Sequence, residues 1–205
     1  MSFRNKIYFS PLFYVIHWFG VLRKRLGCGI FMLYGYYDRR QHRFLKRCRI
    51  ASTAVISNKE NLILEDNVWI NHYVRIDAAG GVSIGEGCQI GFASCILSHS
   101  THNSIRLMGY KFMEYNAPDR VGYIAKHTKI GSYTFIGGGS YVMPGVMIGK
   151  GCVVGVNSVV THDLPDYSIA VGSPARIIAN TKDVDKNYMD NPIVRQVYYD
   201  INNSE

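Results

Sequence analysis

Two histidines open the reading, His99 and His102 in the stretch SHSTHN. A neutral imidazole takes up a proton near physiological pH, which suits it to abstract the proton of an attacking hydroxyl. A reaction in which a hydroxyl is the nucleophile calls for such a base. An isolated pair of histidines on a polar stretch would read as solvated loop residues. Their position in the chain decides against that: they begin the only long break, residues 99–122, in an otherwise periodic sequence. Loops that leave a rigid scaffold are where reactive groups concentrate. The loop position favours His99 as the base, with His102 as the second candidate.

The elements that must hold this break are short and repetitive. Ile130, Ile136, Val142, Ile148, Val154 and Val160 recur every sixth residue. Gly131, Gly137, Gly149 and Gly155 follow four of them, and Thr134, Ser140, Val146, Cys152 and Ser158 form a second, mostly small column. The same hexad runs through Leu64, Ile70, Ile76 and Val82, slips by two to Ile84, and continues at Ile90 and Ile96. After the break it resumes at Ile124. Neither a helical nor a strand period generates six. A stacked coil of short strands does: each strand sends an aliphatic residue inward, and small residues permit the corners. The expected fold is mainly β, a parallel β-helix, with residues 1–50 a basic helical segment, 51–178 the coil, and 179–205 a C-terminal helix or tail.

Composition narrows the class. The 205 residues are 47% hydrophobic and 19% charged, which describes a globular chain. The formal charge of +8 is concentrated in Arg23, Lys24, Arg25, Arg39, Arg40, Arg43, Lys46, Arg47 and Arg49, against the single acid Asp38. The coil itself is near neutral, so nucleic acid is not an expected partner. Residues 7–22, IYFSPLFYVIHWFGVL, are apolar and aromatic, yet too short and too interrupted by Pro11 for a bilayer span. They read either as a helix packed on protein or as an interfacial anchor beside the basic cluster. The five cysteines, Cys28, Cys48, Cys88, Cys95 and Cys152, form no CxxC pair, and those on repeat positions read as buried thiols of a reducing cytoplasm.

The run from Leu64 to Ile178 resembles the hexapeptide-repeat acyltransferases, nearest to the galactoside, maltose and polysaccharide O-acetyltransferases. The resemblance rests on VWIN at 68–71, IGEGCQIG at 84–91, the histidine-bearing break, and the segment from Phe135 to Ile178 that ends in VGSPARII. It implies a left-handed coil, a homotrimer with active sites between subunits, acetyl-CoA as donor and a sugar or polysaccharide acceptor. It implies His99 as general base, with His102 matching a second histidine of some members. Asn71 matches a sugar-contacting Asn, although an Asn at a coil corner also has a purely conformational reading. Asp77 would bind a sugar hydroxyl or orient the histidine, while the family's acidic acceptor residue falls on Ala79, a mismatch. Trp69 would stack on a pyranose or pack. Along the donor's path the resemblance places Phe135, Gly138, Val156 and Thr161, with Ser140 nearby, and Arg176 and Lys182 toward the nucleotide phosphates. No metal is implied. N-acetylation of an amino sugar, serine O-acetylation, and a non-catalytic or carbonic-anhydrase-like metal coil remain alternatives; for the last, His72, His99, His102 and His127 are not spaced as a ligand set.

Overall fold

The computed structural model describes residues 11–26, 29–38 and 40–199. Five stacked coils dominate it. The first four each contribute one short strand to each of three parallel-stacked sheets, and the fifth contributes strands to the first two and a single bridge to the third. The first sheet carries β2 (Arg43–Ala51), β5 (Trp69–Ile70), β8 (Gln89–Ile90), β13 (Phe135–Ile136), β16 (Val153–Val154) and β18 (Ser168–Gly172). The second carries β3 (Val55–Ser57), β6 (Arg75–Asp77), β9 (Cys95–Leu97), β14 (Tyr141–Val142) and β17 (Val159–Val160). The third carries β4 (Leu62–Leu64), β7 (Val82–Ile84), β12 (Thr128–Ile130) and β15 (Met147–Ile148), and Leu164 bridges to Ile148 at its far end.

The hexad positions are the core. Ile70, Ile76, Ile96, Ile136, Val142 and Val154 have no exposed surface, and Ile90 stacks on Ile136 as Ile136 stacks on Val154. Each such side chain contributes about 1.5–3 kcal/mol of burial. The two-residue slip at Ile84 now has a physical cause. β7 is three residues long, so Val82 and Ile84 both point inward and Ser83 points out, as Leu62 and Leu64 do around Ile63. Inside the coil a column of small polar side chains staples adjacent turns. Thr134 and Ser140 donate from their hydroxyls to the carbonyls of Gly149 and Gly155, each at 2.8 Å. The same hydroxyls accept from the amides of Cys152 and Ser158. The hexad glycines are required by close approach: a Cβ on Gly137 would lie 2.6 Å from the backbone of Gly155 and Val156. At the corner from the third sheet back to the first, the left-handed position is not reserved for glycine. Asn67, Tyr133 and Tyr167 hold it with φ of 60°, 57° and 64° alongside Gly87 and Gly151.

The N-terminal fifty residues are not wholly helical. Helix α1 (Leu12–Arg25) is followed by an antiparallel hairpin of β1 (Met32–Asp38) and β2, and β2 runs parallel to β5 as the first strand of the first coil. The coil therefore begins within the basic segment. Residues 7–10 of the apolar run, together with Cys28 and Arg39, lie outside the described residues. Among the described residues no helix is long and apolar enough to cross a membrane.

Coil three is broken between its second and third strands. The chain leaves through β10 (His99–Ser100), forms helix α2 (His102–Met108) and 3-10 turns, and returns through β11 (Ile124–Ala125), which pairs antiparallel with β10. At the other end β18 folds back as an antiparallel hairpin with β19 (Ala175–Asn180). Helices α3 (Thr181–Asp185) and α4 (Pro192–Val197) follow, and the Tyr199 ring lies 4.7 Å from that of Tyr133.

Candidate active site

The break and the coil meet at the corner between the second and third sheets. β6 and β9 are adjacent strands of the second sheet, with Asp77 opposite Leu97. Two residues beyond Leu97 the chain turns out of the coil, and this brings His99 beside Asp77. Nδ1 of His99 lies 3.1 Å from Oδ1 of Asp77. The ring N–H is off the line to that oxygen, so the pair is a close charge contact rather than an aligned hydrogen bond. Asp77 is buried and held in place: its Oδ1 accepts from the amide of Ala79 at 3.1 Å. The hydroxyl of Ser98, itself without exposed surface, donates to the Asp77 carbonyl at 2.7 Å and accepts from the amide of Gly80 at 2.8 Å. His99 keeps about a third of its side-chain surface open, and the Tyr123 ring lies 6.0 Å from it on the returning limb of the break.

This geometry assigns work to the ring nitrogens. Nδ1 faces the carboxylate and is best occupied by a proton there, which leaves Nε2 as the free acceptor. The buried carboxylate beside a partly exposed imidazole favours a proton on Nδ1 electrostatically. Asp77 thus stands beside the Nδ1 edge of the His99 ring. His102 stands apart as the exposed first residue of α2, with Nδ1 on the Ser100 hydroxyl at 2.7 Å. Ser98, Tyr123 and the Ala79 amide belong to the site and escaped sequence reasoning. Ala79, where the resemblance expects an acid, touches Asp77 only through its backbone amide.

The remaining expected residues fall on other parts of the coil. Asn71 lies at the corner between the first and second sheets, its Oδ1 accepting from the His72 amide. Trp69 is on the first sheet with the Arg49 guanidinium 4.6 Å from its ring centre, and its indole N–H is buried without an acceptor. One chain does not bring either to His99. Gly138 and Val156 continue the Asn71 corner on coils four and five, above Phe92; the amide of Gly139 donates to the Phe92 carbonyl, and that of Asn157 to the Gly138 carbonyl. Val156 and Phe135 are exposed. Ser140 is a correction: expected beside the cofactor, its side chain is fully buried and turned into the coil as one of the staples. Thr161 lies at the corner that carries His99, two coils further on, with its hydroxyl on His162. Arg176 is exposed on β19, and the Lys182 ammonium sits 4.1 Å over the Tyr167 ring, so these cations mark the C-terminal end.

Among the described residues no thiol competes with the histidine. Burial pushes the Cys95 thiol up, and pushes those of Cys48 and Cys88 up to about 12, so none is a thiolate at neutral pH. Among the described residues no three His, Cys, Asp or Glu side chains are grouped to hold a metal ion. His72 is engaged by Thr53, and His127 by Ser83.

Residues 127–162 match the family profile "Bacterial transferase hexapeptide (six repeats)". A Mycobacterium tuberculosis protein named as an acetyltransferase is 35% identical over 116 residues, covering 56% of this chain and 33% of that protein. An Escherichia coli protein named as a lipopolysaccharide biosynthesis O-acetyl transferase is 33% identical over 117 residues, covering 57% of this chain and 59% of that one. The chain thus spans between a third and three fifths of the length of these curated relatives. Among solved structures, a hexapeptide-repeat acetyltransferase from Vibrio cholerae in complex with acetyl-CoA superposes with a TM-score of 0.53 at 25% identity, over 62% of this chain and 64% of that one. Over residues 127–162 the repeat coil is thus similar to that of the hexapeptide-repeat transferases.

Proposed function

We propose that the protein is an acetyl-CoA-dependent O-acetyltransferase that acts on a hydroxyl of a sugar in a surface polysaccharide or its precursor. The observation that carries this is the Asp77–His99 pair, placed where the only long break leaves the coil. The named activity of the E. coli relative and the acetyl-CoA of the V. cholerae structure support the same reaction class. The site residues fit the donor: an exposed corner of Gly138 and Val156 beside Phe135 offers backbone amides and apolar surface to a pantetheine arm, and Arg176 offers a cation to phosphate.

In the reaction, Nε2 of His99 takes the proton of the acceptor hydroxyl as that oxygen attacks the thioester carbonyl. Backbone N–H groups hold the developing oxyanion. Collapse breaks the carbon–sulfur bond, and the imidazolium returns its proton to the departing thiolate, giving the acetyl ester and CoA. Asp77 is a positioning residue throughout. We take the coil as left-handed and the working unit as a homotrimer in the cytoplasm, with Asn71 and Trp69 of one subunit serving the acceptor cleft at the site of another. That arrangement answers their distance from His99 within one chain.

Incubation of the full chain with labelled acetyl-CoA and a panel of nucleotide-sugars and lipid-linked oligosaccharides tests the reading. Ester product that vanishes in His99→Ala is expected. Exclusive labelling of amino sugars as amides would replace it with the N-acetyltransferase reading, and turnover unaffected by His99→Ala would end both.

A further inference from the structure

Helix α1 is apolar on both sides. Its inner side, Phe13 and His17, is buried against the hairpin, with the Phe44 ring 6.0 and 4.9 Å away. Gly20 continues that side, where a Cβ would lie 2.7 Å from Leu33. These three follow the i, i+4, i+7 spacing of one helix face. The outer side should then be polar. Instead Val15, Trp18, Phe19 and Leu22 stand there, each more than half exposed, and Ile30 beyond the helix is likewise exposed. A helix that is hydrophobic all round is covered by something.

The charge around it says by what. From residue 11 to residue 51 the sequence holds a single acid, Asp38. That carboxylate is buried, with Oδ1 accepting from the amides of Arg40 and Gln41. The exposed charge contributed by this unit is therefore cationic. Lys46 places its ammonium 5.4 Å from the Tyr14 ring centre on the helix itself, Arg23 stacks on Phe31, and Arg40 is exposed. The exposed Trp and Phe need an apolar cover, and the cations around them need an anionic one. A bilayer interface gives both, because an indole and a phenyl ring favour the headgroup boundary while the cations sit on anionic phosphate. At 14 residues the helix is about 21 Å long, short of the roughly 30 Å of a hydrocarbon core, so it lies in the surface and does not cross it.

We infer that α1 docks the protein on an anionic lipid surface. The consequence for the substrate rests on the acetyltransferase reading. Stacked strands are about 4.8 Å apart. β2, which anchors the hairpin, belongs to coil one, while Asp77 and His99 belong to coils two and three. The pair therefore lies within roughly 10 Å of the docking end along the coil axis. Arg176 and Lys182 lie at the opposite end. Donor and acceptor enter from opposite ends, and the acceptor end is the lipid end, which fits a lipid-linked glycan.

Flotation of the full chain with phosphatidylcholine vesicles, with and without phosphatidylglycerol, tests the docking. The chain should float with the anionic vesicles and stay below with the neutral ones, and high salt should release it. The double variant Trp18→Ser, Phe19→Ser and the charge variant Lys46→Glu should each cut the bound fraction about tenfold with unchanged melting midpoints. Equal binding to neutral vesicles, or none to anionic ones, overturns the inference. So does an oligomer that dissociates in the double variant, which would assign the face to a second copy. CoA release with a water-soluble nucleotide-sugar separates the two readings: wild type and variants should release it equally. A chain that floats but transfers nothing keeps the docking and loses the enzyme, and one that transfers but never floats does the reverse.

Discussion

Oδ1 of Asp77 and Nδ1 of His99 stand 3.1 Å apart although 21 residues separate them in the chain, because the coil places Leu97 opposite Asp77. The contact predicts two graded losses. His99→Ala should lower kcat by roughly a hundredfold to ten-thousandfold, as expected for removal of a general base. Asp77→Asn should lower kcat by roughly tenfold to a thousandfold and leave the KM for acetyl-CoA within about twofold, because it disturbs the base and not the donor. Asp77→Glu should recover part of the loss. Steady-state kinetics of the three variants check this; a Asp77→Asn effect confined to KM would make the residue an acceptor ligand instead.

Ser140 separates coil from cofactor. Its hydroxyl donates to Gly155 and accepts from Ser158 in a buried setting. Ser140→Ala leaves both partners unsatisfied and should cost about 1–3 kcal/mol. For a chain of this size that lowers the melting midpoint by about 2–4 °C per kcal/mol. The KM for acetyl-CoA should not move. Thermal melts beside donor titrations decide it.

What was legible in the sequence follows from how many residues repeat the same message. Ile130, Ile136 and Val142 each fill an equivalent inward position, so the period announces the coil six times over. The hairpin carries no such redundancy. Its register shifts between Tyr34 and Tyr36, which breaks the strand alternation, and β2 is so rich in arginine and lysine that it reads as a basic segment. The Asp77–His99 pairing stood in the sequence only as one of two readings of Asp77, for a related reason. Coils two and three are 20 residues apart, as Ile76 opposite Ile96 shows, while coils four and five are 18 apart, as Val142 opposite Val160 shows. A reader extending the regular spacing of the later coils backwards places Asp77 opposite the wrong residue. Ser140 failed because a small polar residue suits a ligand groove and a buried staple equally, and only its direction distinguishes them.

The donor corner makes a separable prediction. Val156 is 70% exposed, so Val156→Glu removes little packing. A carboxylate there opposes an anionic donor and desolvates poorly against it. The KM for acetyl-CoA should rise at least about tenfold at low salt, less at high salt, with melting within a degree or so of wild type. A melt that falls while KM stays fixed would make the corner purely structural.

The buried thiols give the stability curve an alkaline edge. Burial raises Cys48 and Cys88 from the ordinary value of 9.0 to about 12. Below pH 9 both states hold the proton and the full stability is present; as pH climbs from 9 toward 12 the unfolded chain releases protons that the folded chain keeps, and stability drains away. Denaturant midpoints should therefore decline across that window, and less steeply in Cys88→Ala measured against its own neutral-pH value. Peptide mapping after treatment with a thiol reagent at pH 8 should find Cys48 and Cys88 unmodified unless denaturant is present.

The break itself should be removable. β10 and β11 pair antiparallel at its base, with His99 opposite Ala125 and Ser100 opposite Ile124, so the coil closes beneath it without help from residues 101–123. Thr128 strengthens the same closure: its hydroxyl donates to the Leu97 carbonyl at 2.7 Å and accepts from the Gly145 amide, tying coil three to coil four. Replacing 101–123 by a two-residue Asn-Gly turn satisfies the hairpin geometry at its base. The shortened chain should keep the coil, with a melting midpoint within a few degrees of wild type. It should lose acetyl transfer, since the replacement takes away Tyr123 beside His99 while leaving the Asp77–His99 contact in place. Retained transfer would show that the acceptor is held by the coil alone; a collapsed melt would show that the break is part of the scaffold rather than something mounted on it.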